Sequence, residues 1–157
     1  MINLESLHAL PLFHNRLGSK ELDLLAAYME KETFKAGTIV FAQGDSAERL
    51  YLLTEGQMAI RYQPFDGGEL LTVTEVGPGG VVGWSAALGR RKYTSFAEAL
   101  TDCCALSIRG QDLRQICEAH PESGVVILEA LAEVIAERLR NTHEHVIALL
   151  RRGVVGN

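Results

Sequence analysis

The stretch "TFKAGTIVFAQGDSAERLYLLTEGQMAI", residues 33–60, sets the fold class. Short apolar runs alternate in it with glycine punctuation. "TIVFA" and "RLYLLT" are rich in β-branched and aromatic residues, and "KAG", "QGD" and "TEG" break the runs apart. Gly37, Gly44 and Gly56 sit where tight turns need positive φ, which other residues adopt only at a steric cost. Asp45 follows Gly44 and is placed to bond the backbone of its own turn.

The pattern continues to residue 108. "QMAIRYQ", "LLTVTEV", "YTSFAEAL" and "CCALSI" are further strand candidates, separated by "FDGGE" and "GPGG". Strands of roughly five to seven residues with turns every 8 to 12 predict an antiparallel sandwich or roll. "FDGGE", residues 65–69, is the clearest hairpin turn, because Asp-Gly and Gly-Gly supply positive φ.

Helical periodicity flanks this zone. Residues 1–31 form the N-terminal helical part: Leu4, Leu7 and Leu10 precede Pro11, and Leu22, Leu25, Ala26 and Met29 share a face after Ser19, read as the helix start. Residues 110–152 are helical again. "GQDLRQICEAH" is a short helix stopped at Pro121, and a long helix runs from Glu122 to Arg152, leaving Gly153 onward as a loose tail. On the long helix Leu128, Ala132, Ile135, Leu139, Thr142, Val146 and Leu149 step by four and three residues. That heptad seam predicts a homodimer, since a helix of about thirty residues, ~45 Å long, exceeds what a small roll covers.

Composition excludes several classes. The 157 residues suit one domain, carry a net charge of −5 and are 47% hydrophobic. Neither a leader nor an apolar run of about 18 residues is visible, so a cytoplasmic protein without a membrane span is expected. Cys103, Cys104 and Cys117 read as reduced thiols. His143 and His145 are two apart and do not share a helical face, so no metal site is expected. No nucleophile elbow, paired carboxylates or phosphate loop argues for an enzyme.

The order helix, roll, long helix resembles the cyclic nucleotide-binding domain of the catabolite activator protein and Fnr family. "LHALPLF" resembles its lead-in segment, residues 33–60 its first half, "GPGGVVG" its central glycine turn, and "HPESGVVILEALAEVIAERLR" the start of its dimer helix. The resemblance implies a mainly β fold with flanking α: an antiparallel, jelly-roll-like β-roll of eight strands (a double-stranded β-helix) between N-terminal helices and a long C-terminal dimerisation helix. It spans nearly the whole chain, 1–157, as a single unit with the roll at 32–108.

In ligand-binding members a cassette opens on glycine and glutamate, forms a short helix, and ends on an arginine followed by a hydroxyl residue. The glutamate accepts a ribose hydroxyl and the arginine pairs with the cyclic phosphate. Here the cassette falls on residues 83–99. Gly83 matches the glycine, Trp84 stands for the glutamate, Ser85 follows it, Tyr93 stands for the arginine, and Thr94 and Ser95 close the motif. Losing two charge-assisted bonds at ~1.5–3 kcal/mol each lowers affinity by roughly a hundredfold or more. Arg90 and Arg91 are the candidate replacements for the missing cation, although a run of three cations on a turn ordinarily faces solvent.

The leading expectation is a sensor domain with a diverged cassette that takes a non-standard small ligand, or cyclic nucleotide only weakly. The candidate ligands are a cyclic nucleotide or another small anion. The alternative is a ligand-free dimeric interaction module whose pocket is plugged by Trp84 and Tyr93. A regulatory protein is the expected partner. Direct DNA binding by this chain is not expected, because no helix-turn-helix follows the long helix within its 157 residues.

Overall fold

A computed structural model of the chain describes residues 17–64 and 68–155. The leucines at 4, 7 and 10 and the tip of the "FDGGE" turn, residues 65–67, lie outside the described residues. So do the side chains of Thr142, Val146 and Leu149 on the long helix.

Helix α1 (Ser19–Ala26) leads into eight strands: β1 (Glu30–Phe34), β2 (Ile39–Phe41), β3 (Arg49–Glu55), β4 (Met58–Tyr62), β5 (Leu71–Val76), β6 (Val81–Val82), β7 (Phe96–Ala99) and β8 (Cys103–Arg109). Helices α2 (Gly110–Ala119) and α3 (Pro121–Val155) follow. The strands form two antiparallel sheets, ordered β1-β8-β3-β6 and β2-β7-β4-β5. This is the expected β-roll between helices.

β3 explains why residues 33–60 carry so much of the fold. Its "LYLL" run is buried at every position from Leu50 to Leu53. Leu50 and Leu52 join a cluster with Leu106, Ile108, Leu113, Ile116, Ile127 and Leu131, between the first sheet and the helices. Tyr51 and Leu53 point the other way, into a cluster with Phe41, Met58, Ile60, Val82, Tyr93 and Ala97 between the two sheets. A strand covered on both faces has no reason to alternate apolar with polar residues. The glycines behave as predicted: Gly37, Gly44 and Gly56 have φ of 89, 92 and 94°. Asp45 Oδ2 accepts from the Ala42 N–H at 3.0 Å, closing its own turn.

Several boundaries differ from the sequence reading. α1 is capped at Gly18, with Ser19 already its first residue. It stops at Ala26, and Met29 reaches the core through a turn rather than along the helix. The helical zone drawn to residue 31 therefore overruns β1, which begins at Glu30. β1 reads as "EKETF" because it is an edge strand, exposed at Glu30, Lys31 and Thr33 and, among the described residues, paired only with β8. β6 has two residues, too short for any periodicity. The long helix does not end at Arg152 but continues through Gly153 to Val155, so the predicted loose tail is helical there. Its first half lies on α2: Gly124 is so close to Cys117 that an added Cβ would stand 2.8 Å from the Cys117 Cα.

Candidate functional site

The cassette begins where β6 ends. Val81 and Val82 pair with Leu52 and Tyr51, which carries Gly83 against the start of β3. Gly83 has φ of 79°, and a Cβ there would lie 2.7 Å from the Arg49 carbonyl oxygen. Only glycine allows this approach. Residues 84–89 form a run of turns rather than the expected short helix, with one α-helical i→i−4 bond, from the Leu88 N–H to the Trp84 carbonyl at 3.0 Å. Gly89, at φ of 74°, reverses the chain before a helix can propagate.

The return limb is strapped to the turn at residues 42–47. The Ala47 N–H donates to the Arg91 carbonyl, the Tyr93 N–H to the Asp45 carbonyl and the Gly44 N–H to the Tyr93 carbonyl, each at 2.9 Å. These bonds aim the Tyr93 side chain into the roll. Its ring stacks on Phe41 with centroids 3.8 Å apart and planes 16° from parallel. Phe41 in turn stacks on Tyr51 at 6.1 Å, and Tyr51 meets Phe34 edge-on at 6.0 Å. The Tyr93 hydroxyl donates to the Arg49 carbonyl at 2.6 Å and accepts from the Arg49 N–H at 3.0 Å. Tyr93 is only 5% exposed, and burial raises its pKa against the opposing pull of those backbone bonds. Burial, followed by the nearby Glu32 carboxylate, pushes Tyr51 up to about 12.

Trp84 lies elsewhere. Its ring packs against the cluster between the first sheet and the helices, and the Arg138 guanidinium stands over it at 5.1 Å. Arg138 also donates to the Val81 carbonyl at 2.7 Å, and burial lowers its pKa. From α2, Arg114 donates to the Ala86 carbonyl at 3.2 Å. The two rings expected to share one pocket therefore belong to opposite faces of the first sheet.

The other predicted residues divide similarly. Ser85 is buried in the turn run. Arg90, Arg91 and Thr94 are exposed, and Ser95 is half-buried. On the seam, Leu128 and Leu139 are 44% and 54% exposed, Ala132 is exposed and Ile135 half-buried. A separate cleft of about 660 Å³ opens between the Gly77–Gly80 turn and α3, beside Glu133, Glu137 and Arg140.

Sequence reasoning passed over Phe41, Arg49, Arg114 and Arg138. Arg138 had left a trace: it continues the spacing of Ile127, Leu131 and Val134, and is thus a charged residue on the core-facing side of the long helix. Phe41 closes a strand run that gives no sign of its ring partner. Among the described residues no group of three or more His, Cys, Asp or Glu could hold a metal, and no helix is long and apolar enough to cross a membrane. The three cysteines are unpaired thiols.

The cyclic nucleotide-binding domain family model matches residues 31–120, more than half of the chain. The chain belongs to the cyclic nucleotide-binding domain family. A CRP-like cAMP-activated global transcriptional regulator of Mycobacterium tuberculosis is 32% identical over 132 residues, 84% of this chain and 57% of that protein. A cyclic AMP receptor protein of Thermus thermophilus is 29% identical over 130 residues, 83% of this chain and 57% of that protein. This cyclic nucleotide-binding domain thus spans little more than half the length of those curated relatives, which are named as regulators or receptors. A solved structure from Geobacter metallireducens, described as cyclic nucleotide-binding, superposes with a TM-score of 0.76 at 29% identity, covering 88% of this chain and 99% of that one.

Proposed function

We propose that this cyclic nucleotide-binding domain is a cytoplasmic regulatory module, not an enzyme, whose cradle is closed from within. Tyr93 and Phe41 fill the space that a nucleotide would need. The module then acts through its long helix, as a homodimer that presents a surface to a regulatory protein and makes no direct DNA contact. The observation that carries this reading is the Tyr93 hydroxyl, held by both the N–H and the carbonyl of Arg49 while its ring stacks on Phe41 at 3.8 Å. A phosphate-reading arginine would bring a cation to that position. Tyr93 brings a neutral ring whose donor and acceptor are both engaged. The part of the plug first assigned to Trp84 passes to Phe41, because Trp84 packs on the helix side.

Dimerisation draws support from the exposed apolar stripe of Leu128, Ala132 and Leu139, with Ile135 half-covered beside it. A second reading, a sensor of a non-standard small anion, draws on Arg90, Arg91 and Thr94 all being exposed within one short stretch of the return limb. A thermal-shift panel of cyclic AMP, cyclic GMP, cyclic dinucleotides and inorganic phosphate separates the two. The closed module shows no saturable shift. A saturable shift that disappears in Thr94→Ala or in the Arg90→Ala/Arg91→Ala pair overturns it in favour of the sensor.

A further inference from the structure

We propose that Arg138 and Trp84 form a clasp that fixes where the long helix leaves the roll, with Trp84 tying the cassette to α3 directly. This inference stands whether or not the cradle takes a ligand.

The long helix faces the domain with Ile127, Ala130 and Leu131, all buried, and then Val134, half-buried. Another apolar residue would continue that face at position 138. The chain places a half-buried arginine there, and withdrawing a guanidinium from water is unfavourable unless its donors and charge are met. Two of its contacts are made to the segment that runs from β6 into the cassette. One N–H reaches the Val81 carbonyl at 2.7 Å, and the planar cation lies over the Trp84 ring at 5.1 Å.

A greasy contact would allow α3 to slide or rotate, whereas a planar fork with one backbone acceptor and one ring face defines a single position. Arg114 repeats the device from α2 by bonding the Ala86 carbonyl, two residues past Trp84. Gly110, at the start of α2, approaches that same carbonyl so closely that no Cβ fits. The segment from Val81 to Ala86 is therefore gripped from two helices. Past the clasp, Leu139, Arg140, His143 and Glu144 are all exposed. Arg138 is the positioning residue at the point where α3 stops being supported by the roll.

The test compares wild type with Arg138→Ala, Arg138→Lys and Trp84→Leu by amide hydrogen exchange and by emission of Trp84, the sole tryptophan. In Arg138→Ala and Trp84→Leu, exchange across residues 135–144 should rise about tenfold or more, while β3 and β8 keep wild-type protection. The Arg138→Ala emission should move to longer wavelength as the ring opens to water. Arg138→Lys keeps a cation over the ring and should fall between wild type and Arg138→Ala in both readouts. Unchanged exchange across 135–144 overturns the proposal. So does a rise shared equally by β3 and β8, which would make Arg138 a general stabiliser and not a clasp.

Discussion

Tyr93→Phe removes one oxygen atom and leaves the ring on Phe41. In the wild-type protein that oxygen accepts from the Arg49 N–H at 3.0 Å and donates to the Arg49 carbonyl at 2.6 Å. Both backbone groups stand at the start of β3, next to the Gly83 approach, in a part-buried setting. Leaving a buried donor without a partner costs about 1–3 kcal/mol, and the stacking of the two rings is retained. At an urea m-value of about 2 kcal/mol/M, a loss of about 2 kcal/mol lowers the midpoint by about 1 M. Urea unfolding at one fixed protein concentration measures this, since the proposed dimer would make the midpoint concentration-dependent. A Tyr93→Phe midpoint within about 0.2 M of wild type would mean that the hydroxyl is not held as described, and the closed cradle would lose its main support.

Three other outcomes follow from the same geometry. Tyr51 and Tyr93 both titrate at higher pH in the folded protein than in the unfolded chain, Tyr51 at about 12 against 10.0. The Tyr51 contribution is therefore complete below pH 10 and is lost as pH rises through about 12, and Tyr93 adds to the loss in the same direction. Tyr51→Phe should flatten that alkaline limb in pH-dependent unfolding, and an unaltered limb would contradict the assignment. Gly83→Ala puts a Cβ 2.7 Å from the Arg49 carbonyl at a positive φ. A loss of about 2 kcal/mol or more should then lower the thermal midpoint by roughly 5 °C or more in calorimetry. Leu139→Asp places a charge on the exposed stripe and should give a monomer mass in sedimentation, where a dimer mass is the expected outcome for the wild type.

The sequence made the fold legible because its signals were local. Turn glycines at 37, 44 and 56 and the doubly covered "LYLL" run each announce their own geometry. β1 escaped because an edge strand exposed to water can be written as "EKETF", and β6 because two valines carry no period. The site was legible only in part. Gly83 could be read directly, and its positive φ is a local feature. Where the rings of Trp84 and Tyr93 go could not. Trp84 and Tyr93 are nine residues apart and both aromatic, yet one meets Arg138 across the first sheet's helix side and the other meets Phe41 between the sheets. That choice is made by partners 54 and 52 residues away in the chain (138 − 84 and 93 − 41), which no local spacing encodes.

The central claim is that Tyr93 and Phe41 occupy the nucleotide's place. Calorimetric titration of cyclic AMP into the wild-type protein tests it most directly. With the ring stack in place and no cation in the cradle, the account predicts only heats of dilution up to millimolar nucleotide. A saturable isotherm with a micromolar dissociation constant would contradict it, whether or not Arg90→Ala/Arg91→Ala abolishes the binding.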